Sequence, residues 1–239
     1  MALRIDIVTL FPELFPGPLG ASIPGRAARK GLVEINAVNL RTFTHDRRQT
    51  VDDKPFGGGP GMLMKVEPFC EAVGSLKQDG TKIVLTGPAG ERFDQRVARE
   101  LACETHLIFL CGHYEGVDQR VRELLHPREL SIGDYVLSNG NLAAMVMIDA
   151  IVRLLPGALG HDESSESESF EGGLLEYPQY SQPVEFQGLR APDALLSGDH
   201  ARIAAWRRAE ALSSTILNRP DLILKRNNES NIQQRRQSK

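Results

Sequence analysis

The residues best suited to chemistry lie between His106 and Leu142, in HLIFLCGHYEGVDQRVRELLHPRELSIGDYVLSNGNL. Two glycine-bearing polar turns stand there: Gly112-His113-Tyr114-Glu115-Gly116, and Ser131-Ile132-Gly133-Asp134 followed by Ser138-Asn139-Gly140-Asn141. Glycine beside a strand end admits positive φ and lets main chain approach a ligand closely. Two such turns in one short stretch predict a pocket walled largely by backbone. Each adjoins an apolar run read as a strand, Leu107–Leu110 and Tyr135–Leu137. A second polar stretch, RTFTHDRRQTVDDKPFGGGPGM over 41–62, is too polar for a core element. A loop of that length in a compact domain is usually functional or disordered. It ends in no Gly-Lys-Ser/Thr, so it is not a phosphate-binding P-loop, and a substrate clamp and a flexible loop fit it equally.

The flanking pattern must position these turns. Alternating or β-branched runs at Leu3–Leu10, Leu32–Leu40 and Lys82–Leu85 read as strands, with Leu107–Leu110. Helical periodicity appears at Gly25–Lys30, Val66–Leu76, Asp94–Leu101, Asp118–Leu125 and Leu142–Leu155. Gly31 stands at a C-cap, and Pro156-Gly157 stops the last helix. Strands alternating with helices predict an α/β fold with a mainly parallel sheet. No G-x-G-x-x-G follows the first strand, so a dinucleotide fingerprint is missing.

After residue 160 the composition changes. GHDESSESESFEGG over 160–173 is dominated by Ser and Glu and reads as a linker or mobile loop. Beyond it, Tyr177–Pro183 is extended and Ala201–Leu217 is helical, with Arg202, Arg207 and Arg208 along it. From Arg219 onward six Lys or Arg face two acids, a basic tail on a chain of net charge −3. Such a tail suits phosphates and also plain solubility. No run of about 18 apolar residues exists, so no membrane span is expected, and the N-terminus lacks an uninterrupted apolar core, which predicts a cytoplasmic protein. Three widely spaced cysteines form neither a disulfide framework nor a zinc site.

Longer motifs carry more weight than any of these features. LFPELF (10–15), THDRRQTVDDKPFGGGPGM (44–62), LCGHYEGVDQRV (110–121), SIGDYVLSNG (131–140), RLLPGALG (153–160), SFEGGLLEYPQY (169–180) and LLSGDH (195–200) run in one order along the chain. In these the chain resembles the bacterial tRNA (guanine-N1-)-methyltransferases of the SPOUT class, over about residues 1 to 222. The resemblance implies a trefoil-knotted parallel-sheet domain over 1–160 that binds S-adenosylmethionine. An acidic linker over 161–173 and a mainly helical tRNA-binding domain over 174–239 would follow. General rules of connectivity exclude knots; the expectation rests on the likeness alone. Homodimers and a tRNA substrate, methylated at N1 of the guanine 3′ of the anticodon, are implied with it.

Carried onto this sequence, the cofactor contacts fall on Thr86, Gly87 and Pro88, on Gly112, Tyr114, Glu115 and Gly116, on Ile132, Gly133, Asp134, Tyr135, Val136 and Leu137, and on Gly140. Magnesium is a candidate ion with no residues assigned to it. The guanine N1 proton must leave before the nitrogen attacks, which calls for a carboxylate base. The matching residue is Glu168, where the family has an aspartate, with Glu166 as second choice. Arg153 matches the arginine that would stabilise charge on the exocyclic oxygen. Two stretches depart from the family's usual residues: Ser138-Asn139-Gly140-Asn141 stands for Ser-Gly-Gly-Glu, and Pro178-Gln179-Tyr180-Ser181-Gln182-Pro183 for Pro-His-Tyr-Thr-Arg-Pro. These departures motivate two other readings, a SPOUT enzyme acting on another RNA and a catalytically weak knotted RNA-binding protein. RNA contact is expected from Arg47, Arg48, Lys54, Arg207 and the tail.

Overall fold

The structure is a computed structural model that describes residues 2–159 and 168–224. The chain divides into two compact units, Met1–Gly160 and His161–Lys239. In the first, a five-stranded sheet is built from β1 (Leu3–Thr9), β2 (Val33–Asn39), β5 (Lys82–Arg92), β6 (His106–Cys111) and β7 (Arg128–Ser131). Its order is β2-β1-β6-β5-β7 and every pairing is parallel. A two-stranded antiparallel ribbon, β3 (Asp52–Asp53) with β4 (Leu63–Met64), stands apart from it. The helices of this unit are α1 (Pro16–Gly20), α2 (Ser22–Arg29), α3 (Val66–Leu76), α4 (Gln95–Ala102), α5 (Gln119–Leu125) and α6 (Asn141–Val152).

The central strand explains the arrangement. All six residues of β6 are buried, because a parallel sheet is covered on both faces. Successive side chains point to opposite sides. Leu107 and Phe109 join a core with residues of α2, α4 and α6, whereas Ile108 and Leu110 join one with residues of α3 and α5. Burying each such side chain is worth about 1.5–3 kcal/mol, so β6 anchors both layers. Cys111 closes the strand as a small apolar residue; burial pushes its thiol well above the ordinary range.

The one carboxylate inside β1 is fully provided for. Asp6 accepts from His106 Nε2 and Arg4 Nε, both at 2.9 Å, and from Asn36 Nδ2 at 3.2 Å. His106 Nδ1 in turn meets Thr81 Oγ1 at 2.7 Å. A buried charge is tolerable only with such partners.

Three readings change. Tyr135–Leu137 is not a strand: it runs as bends, with Tyr135 and Val136 exposed, because no neighbouring strand supplies a ladder for it. β7 was not expected as a strand; it has four residues, two of them charged, and shows no alternation. β5 runs on through Gly87–Gly90 to Arg92. Leu130 faces both Thr86 and Glu91, so residues 87–90 are looped out of the ladder. No helix of the described residues is long and apolar enough to cross a membrane.

The second unit, over its described residues, holds a short hairpin of β8 (Glu185–Phe186) and β9 (Leu189–Arg190), then α7 (Asp193–Leu196) and α8 (His200–Asn218). Asp199 caps α8, accepting from Ala201 N and Arg202 N. The expected linker lies outside the described residues through residue 167, as do Glu166 and the basic tail from Lys225.

An exposed ion-pair network ties α4 to the sheet edge. Arg128 donates to Glu91 at 2.9 Å and to Glu100 at 2.9 Å, and Arg96 also pairs with Glu91 at 2.9 Å. Hydrogen bonds from Arg128, first among the causes, hold both carboxyls below their usual range. Their contribution is therefore complete above the unfolded carboxylate value and is lost as pH falls through the lowered folded values. An Arg128→Met variant should show its largest loss of Tm near neutral pH, and the gap to wild type should close in acid. Thermal unfolding followed by circular dichroism across pH tests this; a gap independent of pH would assign the effect to packing.

Candidate active site

Three segments converge to form one pocket, where β5 loops out after Thr86 and at the carboxyl ends of β6 and β7. It is lined by Thr86, Gly87 and Pro88, by Gly112 through Gly116, and by a long third segment, Leu130–Gly133 with Tyr135–Gly140. Ala143 of α6 completes it. The carboxyl ends of parallel strands are the usual place for a ligand in such a sheet.

Side chains are kept out of the centre. Gly140 N donates to Gly112 O at 2.8 Å, and a Cβ on Gly140 would overlap Thr86 Oγ1 and come within 3.1 Å of Gly112 N. A Cβ on Gly87 would meet the Glu129 carboxylate. That carboxylate is fixed by a two-pronged bond from Arg122, Nε to Oε2 at 2.8 Å and Nη2 to Oε1 at 2.9 Å. Gly116 (φ +122°) and Gly133 (φ +152°) supply the positive φ values that the turns require. Tyr114 also has positive φ, at +57°.

Every residue expected to hold the cofactor lines this pocket except Asp134, which is exposed in the same turn. Of the remaining lining residues, His113, Ser131, Ser138 and Asn139 stood in the two turns read as the pocket but were not named as cofactor contacts, and Leu130 and Ala143 lay outside that reading. His113 is the most informative of these. Its ring stands edge-on to Phe11 and Tyr114, with centroids 5.3 and 4.5 Å away. Its Nδ1 is buried and, among the described residues, has no hydrogen-bond partner. An unmet buried polar atom is costly. A histidine directly after a strand-end glycine was the available signal.

The departure at Asn139 and Asn141 has a local explanation. Asn139 Oδ1 accepts from Asn141 N at 3.0 Å, closing the turn that starts α6. Asn141 is buried and its Oδ1 accepts from Thr9 Oγ1 at 2.8 Å, joining β1 to α6. It does not line the pocket. Arg153 sits at the carboxyl end of α6, its N–H bonded to Asp149 O. Glu168 belongs to the second unit, at the head of a pinned turn: Ser169 Oγ accepts from Glu176 N at 3.0 Å, and Phe170 N donates to Leu174 O at 2.6 Å. Among the described residues no group of three or more His, Cys, Asp and Glu could hold a metal ion.

A family profile described as tRNA (Guanine-1)-methyltransferase TrmD matches residues 3–225. The chain belongs to this family. A tRNA (guanine-N(1)-)-methyltransferase of Dictyoglomus turgidum is 56% identical over 223 residues, 93% of this chain and 91% of that one. Those of Geobacillus kaustophilus and Moorella thermoacetica are 51% and 52% identical, over 92% and 94% of this chain and 91% and 92% of theirs.

A Gly140→Ala substitution should abolish S-adenosylmethionine binding, because the new Cβ occupies the space of Thr86 Oγ1. Calorimetric titration checks it, and wild-type affinity in the variant would show that Gly140 is replaceable.

Proposed function

We propose that the chain transfers a methyl group from S-adenosylmethionine to N1 of the guanine 3′ of the anticodon in tRNA. The observation that carries the reading is the backbone-lined pocket at the strand ends, in a chain of the TrmD family. The residues present fit the methyl donor. Its amino, carboxyl, hydroxyl and ring-nitrogen groups can pair with main-chain N–H and C=O of the three segments. Leu130, Ile132, Val136, Leu137 and Ala143 offer apolar walls to the adenine ring. The finer architecture, a trefoil knot, is proposed with it on the strength of the family likeness.

When bound, S-adenosylmethionine supplies an electrophilic methyl group carried on a sulfonium. The protein must supply the rest. Guanine N1 bears a proton and has no free in-plane lone pair until that proton leaves. Glu168 accepts this proton, and the freed pair on N1 then takes the methyl group. Negative charge left on the base spreads to its exocyclic oxygen, where Arg153 stabilises it. The turn after Glu168 supports a positioning role for this segment. Phe170 adopts φ +76°, a conformation that an aromatic residue holds only under constraint, and the Arg219 guanidinium lies 5.8 Å from its ring centre.

The tRNA-binding role belongs to the second unit in this reading. Arg207 covers the Tyr177 ring at 4.8 Å, and Tyr180 and Trp206 stand 6.3 Å apart. A homodimer is proposed as well, supported by Leu142 and Val146, which are exposed one turn apart on α6.

Transfer of labelled methyl to tRNA with guanine or adenine after the anticodon tests the activity. Guanine-dependent incorporation is expected, and its absence would overturn the reading. Glu168→Gln should lose roughly 10²–10⁴ in turnover with S-adenosylmethionine affinity retained. Full activity in that variant would place the base elsewhere.

A further inference from the structure

Phe56 is 99% exposed, the most exposed large apolar side chain among the described residues. It does not sit on loose chain. Residues 52–64 form a hairpin whose stem is β3 paired with β4, Asp52 opposite Met64 and Asp53 opposite Leu63. At its tip Gly58 N donates to Pro55 O at 3.2 Å, closing a turn with Phe56 and Gly57 at the corners. Gly57 has φ +86°, the value that a type II turn demands at its second corner. The turn therefore fixes Phe56 as a projecting corner residue.

The base of the same hairpin is fastened to the lip of the pocket. Glu115 N donates to Met62 O at 3.1 Å, Met64 N to Gly116 O at 3.0 Å, and Asp118 N to Met64 O at 2.9 Å. Gly61 has no room for a side chain because Glu115 lies against it. Basic groups precede the ring in sequence. Arg47, Arg48 and Lys54 are exposed, and none makes an ion pair among the described residues. Asp46 presents the two arginines on a tight turn, accepting from Arg48 N, Thr50 N and Thr50 Oγ1, each at 2.9 Å. Asp53 is turned inward on its own neighbour, taking the Lys54 N–H at 2.7 Å.

An exposed ring on an arm fastened to the lip of a pocket for a base-modifying reaction, with unpaired cations preceding the ring in sequence, fits the face of an unpaired nucleobase. RNA bases in loops are held by aromatic stacking, with backbone phosphates neutralised by nearby Lys and Arg. A guanine that enters the pocket must leave its stack, and its neighbour then has a bare face. We propose that Phe56 stacks on that neighbouring nucleobase and holds the RNA in place for transfer. The inference rests on the reading of the substrate as RNA with a target guanine.

The test uses the full chain as Phe56→Ala, Phe56→Leu and Phe56→Trp. Steady-state methylation of tRNA, calorimetry with S-adenosylmethionine, and the fluorescence of tRNA carrying 2-aminopurine beside the target guanine are compared. Ala and Leu should both raise KM for tRNA by about 5- to 100-fold, the range of one lost stacking contact. Their S-adenosylmethionine affinity should be unchanged, and Trp should restore a KM near wild type. Wild type and Trp should quench 2-aminopurine, and Ala and Leu should not. A leucine as good as phenylalanine would overturn stacking, since bulk would suffice. An unchanged KM in Phe56→Ala would overturn any role. Dissociation of a wild-type dimer by Phe56→Ala, seen in sedimentation, would reassign the ring to a second copy of the chain. Quenching without methylation by wild type would uphold the stacking and overturn the activity instead.

Discussion

Gly140 crosses Gly112 at main-chain hydrogen-bond distance, and Thr86 closes the space where a side chain would begin. Three chain segments meet at this contact, and each contributes to the pocket. The contact forces glycine at position 140, since a Cβ there would overlap Thr86 Oγ1 and crowd Gly112 N. What surrounds the crossing serves to hold it. β6 is buried on both faces, Arg122 clamps Glu129 beside Gly87, and the Thr9–Asn141 bond fastens the start of α6 to β1.

The α/β alternation and the pocket were legible because both leave periodic or compositional marks. Buried parallel strands read as apolar runs, and strand-end glycines mark positions where Cβ cannot be tolerated. Tyr135–Leu137 misled for a physical reason. Apolar residues that line a ligand pocket look like strand residues in sequence, yet Val136 is exposed and has no ladder partner. β7 was invisible because four residues with two charges carry no pattern. His113 could be named but not assigned, because an unmet Nδ1 is a property of packing. The stretch 41–62 read equally as clamp and as flexible loop; its two-residue strands are too short to show a period, and only the main-chain bonds to Gly112–Gly116 reveal a fixed arm.

Glu168 and Arg153 illustrate the opposite limit. Neither stands out by composition, since one lies among many acids and the other ends a helix. The roles proposed for them rest on likeness to a family. The pinned turn after Glu168 is compatible with that proposal, because a base must be held at a fixed point to remove a proton efficiently.

The backbone character of the pocket has a consequence for inhibition. A compound that binds by hydrogen bonds to side chains can be evaded by replacing one residue. A compound that pairs instead with peptide N–H and C=O of the lining segments meets groups that substitution leaves in place. Escape from an adenosine-like inhibitor would have to proceed through changes of volume, at Leu130, Ile132, Val136 or Ala143, and these walls would confine the natural methyl donor in the same way. Resistance and loss of fitness would therefore arise together.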